Sequence, residues 1–114
     1  MGKRRQVTPW LSDWLAENRR PRCGGMVLRA PVIVCGRGLQ MSVQANRFCY
    51  CIPQRDTGPY RWVEVGFPNR KIREFLRYAE DRKNPKGTVY GYVPVAVVEK
   101  VINKYGGGQG VVHD

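Results

Sequence analysis

The sequence predicts an α+β domain with a four- to five-stranded, mainly antiparallel sheet, helices packed on one face and a short N-terminal helix. Two observations predict this class. Apolar and polar residues alternate along 39–45 and 60–67, as they do in strands that bury one side. Apolar residues also recur at helical spacing along 9–18, 68–80 and after Pro94. The resulting order of elements, αββ(β)βαβα, suits a sheet that is covered on one side.

The length of the chain corresponds to one domain. Its 114 residues are enough to form a single core of ordinary size. We expect this α+β domain to span 9–105. It would follow a basic N-terminal arm at 1–8 and precede a flexible, Gly-rich tail at 106–114.

The first helix has sequence signals at both ends. Thr8 is a suitable N-cap, and Pro9 is preorganised for the first helical position. The basic run at 19–22 contains a proline that ends the helix, and 23–25 form a glycine-rich joint. The apolar face of the predicted helix comprises Trp10, Leu11, Trp14 and Leu15.

The strands of the first half follow from β-branched runs and turns. Residues 26–30 should form an edge strand or an irregular approach, because Pro31 cannot donate to a ladder. Val32–Cys35 should pair with the first alternating run through a glycine-containing turn at 36–38. Residues 46–59 are expected to form a long loop or a ragged strand extension.

The second half is expected to hold two helices around a strand. The helix predicted over 68–80 has an i, i+3, i+4, i+7 pattern formed by Ile72, Phe75, Leu76 and Ala79. The strand at 88–93 should bury Val89, Gly91 and Val93 on one face. Its opposite face should carry Thr88, Tyr90 and Tyr92. The last helix should bury Val98, Val101, Ile102 and Tyr105.

The charge balance points to a polyanionic partner. Twenty Lys and Arg against nine Asp and Glu give a formal net charge of +11, which favours nucleic acid, nucleotides or an acidic protein surface. The alternative is a basic surface that is simply solvated. No apolar run approaches the roughly 20 residues of a membrane span, and the N-terminus has no secretory signal. We therefore expect an intracellular protein that does not enter a membrane.

The sheet face that the helices leave open is the predicted ligand-binding site. Aromatic rings on such a face can stack on bases, amides and a carboxylate can read base edges, and arginines can hold phosphates. The alternative is that the aromatic side chains pack against a loop or form a homo-oligomer interface. The candidate residues are Gln40, Gln44, Trp62, Glu64, Tyr90 and Tyr92, with Arg37, Arg47 and Arg61 at the rim.

Metal binding and catalysis are not favoured. Cys49 and Cys51 could supply half of a zinc site, but the four cysteines lack the paired spacing of structural zinc sites, so free thiols are favoured. The single histidine, His113, falls in the predicted tail, which leaves no Cys/His or Ser/His pair in the folded part. Asp56 and Glu64 are the remaining isolated carboxylate candidates. We expect that the protein is not an enzyme and that it binds neither a metal nor a cofactor.

Four stretches of the chain have a recognisable pattern: MSVQA at 41–45, YCIP at 50–53, GPYRWVEVGFP at 58–68 and TVYGYVPVAVVEKVI at 88–102. Together they resemble short uncharacterised proteins encoded by bacteriophages and mobile elements, over about residues 35 to 107. The resemblance implies a counter-defence protein in the cytoplasm of a bacterial host. It brings no catalytic residues.

Three functions remain open on this basis. The first is capture of a nucleotide or nucleotide immune signal on the aromatic face. The second is an anti-CRISPR inhibitor that docks on an effector protein or its guide RNA. The third is a general basic protein that coats nucleic acid by charge alone.

Overall fold

The computed structural model describes residues 10–111 of the chain. Helix α1 comprises Trp10–Asn18 and α2 comprises Val95–Lys104, and a 3-10 helix lies at Arg73–Tyr78. The strands are β1 (Arg20–Arg22), β2 (Val27–Arg29), β3 (Val32–Cys35), β4 (Gln40–Gln44), β5 (Trp62–Gly66), β6 (Val89–Pro94) and β7 (Gly108–Val111). The predicted α+β class is confirmed.

Five strands form an antiparallel sheet in the order β6-β5-β4-β3-β7, and β1 and β2 form a separate two-stranded ribbon. The predicted pairing of β3 with β4 is confirmed, with Ile33 opposite Met41. In the centre of the sheet, Val43 lies opposite Val65. Both pairs of side chains are buried, so the register places the apolar sides of the strands on the same face.

The helices cover that apolar face. Leu11 and Leu15 of α1 are fully buried in the core cluster, as are Val98 and Val101 of α2. The 3-10 helix contributes Phe75 to the same core. Neither α-helix could cross a membrane, because they have nine and ten residues, about half of the roughly 20 that a bilayer requires.

The prediction of an α-helix over 68–80 is wrong, because only the 3-10 helix Arg73–Tyr78 forms there. The cause lies in contacts from other elements. Asn69 donates its backbone N–H to Gln40 O and its side-chain amide to Gly38 O, which ties this segment to the β3–β4 hairpin. At the other end Ala79 pairs with Tyr90, so the chain becomes extended. Tertiary pairing therefore overrides a helical pattern.

Part of the predicted tail belongs to the sheet. Gly108–Val111 form β7, which pairs with β3 from Val32↔Val111 to Cys35↔Gly108. Sequence reasoning missed this strand because its three small or polar residues show no apolar alternation. Residues 112–114 and the predicted basic arm at 1–8 lie outside the described part of the chain.

The ribbon was also missed as a separate unit. Residues 26–30 were expected at the edge of the main sheet and 19–22 at the end of a helix, yet β2 pairs with β1. The joint predicted at 23–25 is the hairpin turn, where Cys23, Gly24 and Gly25 all have positive φ angles of 54°, 70° and 91°. Glycines adopt this left-handed conformation without steric cost, which explains the turn.

Candidate ligand-binding face

Gln44 is not on an open face, and its predicted contact with a ligand is wrong. Its side chain is buried, with 3% of the residue exposed. Its Oε1 accepts the Ala30 N–H at 2.8 Å, and its Nε2 donates to Ala30 O at 2.9 Å. Pro31 interrupts strand pairing at this point. The Gln44 amide therefore replaces the missing backbone partner of Ala30.

Replacing Gln44 with alanine is expected to lower the free energy of unfolding by about 2 kcal/mol, because the buried N–H and C=O of Ala30 lose their partner. Gln40→Ala is the matched control on the same strand. Gln40 is exposed, so its replacement should change stability by less than about 0.5 kcal/mol. Urea unfolding of the two variants tests this assignment. Equal losses would contradict it.

Tyr90 is also absent from the outer face. Val63 pairs with Val93 and Val65 pairs with Tyr90, so two residues of β6 lie opposite Glu64 alone. This β-bulge reverses the alternation and turns Tyr90 into the core, where it is fully buried and its hydroxyl donates to a backbone carbonyl. The prediction for Tyr90 is therefore wrong. Tyr92, within the bulge, has a φ of 53° and stays 44% exposed.

The loop after β4 lies across the outer face of β5 and β6. The Tyr50 N–H donates to Glu64 Oε1 at 2.9 Å, and the Tyr92 N–H donates to Tyr50 O at 2.9 Å. Further along, Ile52 forms a bridge with Trp62. The loop therefore covers Trp62 and Glu64. Both residues are partly buried and do not form the exposed centre of a site.

The outward side chains of this loop form an aromatic patch together with Tyr92. Its members are about half exposed, and the Tyr50 and Tyr92 rings have centroids 5.9 Å apart. Gly91 permits this approach, because a Cβ there would lie 3.1 Å from the Tyr50 Cβ. The aromatic patch consists of Phe48, Tyr50, Ile52 and Tyr92.

Sequence reasoning missed Phe48, Tyr50 and Ile52, although a signal was present. They alternate with Cys49 and Cys51, and both cysteines are buried. Both thiols lie on the buried side of this segment. The same alternation directs the three larger side chains to the other side, which is the solvent side.

Two of the three predicted rim arginines lie beside the aromatic patch. The Arg47 guanidinium lies 5.0 Å from the centre of the Phe48 ring and 3.8 Å from an Asp56 oxygen. Arg61 is exposed, and its N–H donates to Ile52 O. Arg37 precedes β4, whereas the loop with the patch follows it. The five residues of β4, roughly 17 Å in length, separate Arg37 from the loop that carries the patch. Neither Arg37 nor Gln40, the first residue of β4, therefore joins this site.

The cysteines beneath the patch are shielded thiols. The single S–H proton of Cys51 has two acceptors within reach, Asn46 O at 3.2 Å and Pro53 O at 3.3 Å. Burial, followed by the nearby Glu64 carboxylate, raises the pKa of Cys49 to about 12. Burial also raises the pKa of Cys51 and of Cys35. Among residues 10–111, no three His, Cys, Asp or Glu side chains are grouped so that they could hold a metal ion.

These raised pKa values have a consequence for stability. Unfolded thiols lose protons above their ordinary pKa of 9.0, whereas Cys49 keeps its proton in the fold until about pH 12. The contribution of these thiols to the free energy of unfolding should therefore be constant below pH 9.0 and fall as pH rises above it. Urea unfolding across this range tests the effect. Cys49→Ala should flatten the decline in the free energy of unfolding above pH 9.0. Cys23→Ala, at an exposed thiol, should leave that decline unchanged. A flat profile for the unmodified protein would contradict the assignment.

A cleft of about 440 Å³ lies on another side of the protein, lined by Arg73, Glu74 and Lys104. Lys104 Nζ donates to Glu74 Oε2 at 3.0 Å, so two of the three charged groups in the cleft are paired with each other. Burial acts to raise the pKa of Glu74, but hydrogen bonds from its own backbone N–H and from Lys104 lower it overall. Unlike the aromatic patch, the lining of the cleft contains no ring on which a base could stack.

The geometry thus defines an α+β protein with an exposed aromatic patch beside arginines. Comparison with known proteins finds no match to a protein-family model, to a curated protein or to a solved structure.

Proposed function

We propose that this protein is a non-enzymatic binding protein that stacks nucleobases on the aromatic patch and holds phosphates with the flanking arginines. One observation carries the proposal. Tyr50 and Tyr92 are neighbouring, half-exposed rings in a patch whose Phe48 ring faces the Arg47 guanidinium and whose Ile52 carbonyl accepts the Arg61 backbone N–H. Base–aromatic stacking combined with basic side chains is the usual means of binding nucleotides without enclosing them.

The patch is preorganised. Tyr50 is held by hydrogen bonds at both its N–H and its C=O, to Glu64 and to Tyr92. The thiol of Cys51 beneath it adds a hydrogen bond that Asn46 O and Pro53 O share. A ligand therefore does not have to order this loop before the rings can stack, and the entropic cost of binding is smaller.

The electrostatic surroundings suit a phosphate chain. Arg47 and Arg61 lie at the patch, and the chain has no Asp or Glu between Glu17 and Asp56. The Arg47–Asp56 pair is long, at 3.8 Å, and both side chains are partly exposed. Such a pair contributes little, so a phosphate can compete with Asp56 for this guanidinium.

The openness of the rings favours a single-stranded stretch of nucleic acid over one mononucleotide. Side chains that are 44–55% exposed can stack on successive bases, but they do not enclose a single base. Each stacked base would add about 1–3 kcal/mol of binding free energy. In a counter-defence protein of a phage, inside the bacterial cytoplasm, such a face would capture exposed guide RNA or a nucleotide signal.

The two carboxylates considered for catalysis have structural partners. Glu64 accepts the Tyr50 N–H, and Asp56 accepts the Arg47 N–H at 3.0 Å. Both side chains act as hydrogen-bond acceptors that hold the loop in place. The proposal accordingly assigns no catalytic step to this site.

Calorimetric titration tests the proposed function. The ligands are a single-stranded oligothymidylate, a single-stranded oligouridylate, and cyclic and linear nucleotides. We expect both oligonucleotides to bind more tightly than any mononucleotide. Absence of heat with every ligand, together with a dimer by light scattering that Tyr50→Arg converts into a monomer, would overturn the proposal and identify the patch as a subunit contact.

A further inference from the structure

The β1–β2 ribbon is a projecting element that the aromatic patch does not explain. All of β1 is exposed, and so is the turn that joins it to β2. A methyl group added at Gly24 or Gly25 would meet no atom within 4 Å, so the tip is surrounded by open space. Hydrogen bonds from Asn46 Nδ2 to Leu28 O of β2 (2.8 Å) and from Arg47 Nη2 to Met26 O in the turn (3.3 Å) tie the ribbon to the loop after β4.

The register places three arginines on one face of the ribbon. Arg20 lies directly opposite Arg29, and Arg22 follows two residues along the same strand. Within residues 10–111, no carboxylate lies within ion-pair distance of these guanidiniums. Arg20 and Arg22 donate only to nearby backbone carbonyls. Like charges directly opposite one another destabilise a strand pair, and a polyanion would relieve that repulsion.

We propose that this ribbon binds double-stranded nucleic acid, with Arg20, Arg22 and Arg29 on the phosphates that border a groove. Two strands about 4.8 Å apart fit the major groove of B-form DNA, which is roughly 12 Å wide and admits a two-stranded ribbon. Arginine also suits phosphates because its planar fork can donate two hydrogen bonds at once. The three ribbon arginines are distinct from Arg47 and Arg61 of the aromatic patch, although the Arg47 guanidinium also contacts the ribbon turn at Met26 O.

A charge-matched pair of variants tests the proposal. The ribbon variant is Arg20→Gln/Arg22→Gln/Arg29→Gln. The control variant, Arg73→Gln/Arg77→Gln/Arg82→Gln, removes the same charge from exposed positions in and after the 3-10 helix. Affinity for a short DNA duplex is measured by fluorescence anisotropy over a range of salt concentrations. Circular dichroism and oligothymidylate binding check that both variants keep the fold.

The ribbon variant is expected to bind the duplex roughly 10-fold or more weakly. Its plot of log affinity against log salt should be shallower by about 2 to 3, since each lost phosphate contact removes about 0.9 from the slope. The control variant should keep most of the affinity and slope. Equal losses in both variants, or duplex binding that only Tyr50→Ala/Tyr92→Ala abolishes, would overturn the proposal.

The cysteines provide a second readout at the tip. Cys23 is exposed, while Cys35, Cys49 and Cys51 are buried, so a thiol reagent added to the folded protein should modify Cys23 alone. A bound duplex should slow this alkylation several-fold, in a manner that depends on the three ribbon arginines. Equal protection by polyglutamate of the same charge would overturn duplex binding in favour of unspecific attraction to acidic polymers.

Discussion

Replacing Arg19 with alanine is expected to lower the free energy of unfolding by about 3 kcal/mol or more. Arg19 opens the basic run at 19–22, but its guanidinium is used within the fold. It donates to Ala45 O at 2.7 Å, to the Tyr60 hydroxyl at 2.8 Å and to Asp56 O at 2.7 Å. It also lies 5.3 Å from the centre of the Tyr60 ring. Arg19 therefore joins α1, the end of β4 and the loop that leads to β5.

Loss of this guanidinium leaves several acceptors unpaired at once. Hydrogen bonds to charged groups contribute about 1.5–3 kcal/mol each, and their effects are not additive. Arg19→Lys should recover only part of the loss, because an ammonium cannot reproduce the planar fork. Arg20→Ala, at the adjacent exposed position, is the matched control. Urea unfolding measures all three variants, and a loss below about 1 kcal/mol for Arg19→Ala would contradict the structural role.

The second large effect concerns binding. Tyr50→Ala combined with Tyr92→Ala is expected to weaken oligothymidylate binding by about 100-fold, since each stacked base contributes roughly 1–3 kcal/mol. The two rings lie 5.9 Å apart and are 45% and 44% exposed, so both are available to successive bases. The loss should fall on affinity and leave the salt dependence nearly unchanged, because no charge has been removed.

Two control variants test whether the loss of affinity is specific to the rings of Tyr50 and Tyr92. Phe67 is 59% exposed but follows β5, at the end of that strand away from Trp62, and Phe67→Ala should leave binding unchanged. Tyr50→Phe/Tyr92→Phe keeps both aromatic rings and should keep most of the affinity. If the alanine variant binds as tightly as the unmodified protein, the patch is not the stacking surface.

The local parts of the fold could be predicted from the sequence. The β3–β4 hairpin depends on a short turn at 36–38 and on alternation that leaves Met41 and Val43 buried. Helix α1 depends on the spacing of Leu11 and Leu15. In each case neighbouring residues carry the information, and no distant partner is needed.

The parts that could not be predicted depend on distant partners. Tyr90 turns inward because of a bulge, and this bulge accompanies the loop around Tyr50. Gln44 is buried because Ala30, fourteen residues earlier, lacks a strand partner. The candidate site differs from the predicted one for the same reason. The loop covers Trp62 and Glu64 and exposes its own side chains in their place. Period-2 alternation identifies two sides of a strand but not which loop will cover one of them.

Chemical-shift mapping tests the central claim most directly. Isotope-labelled protein is titrated with oligothymidylate, and backbone amide signals are followed for every assigned residue. We expect the largest shifts at Phe48, Tyr50 and Tyr92, with smaller shifts at Arg47 and Arg61, and no change around the 3-10 helix Arg73–Tyr78. Shifts concentrated at Arg73–Tyr78, or none at Tyr50 and Tyr92 when binding is saturated, would contradict nucleobase stacking on the aromatic patch.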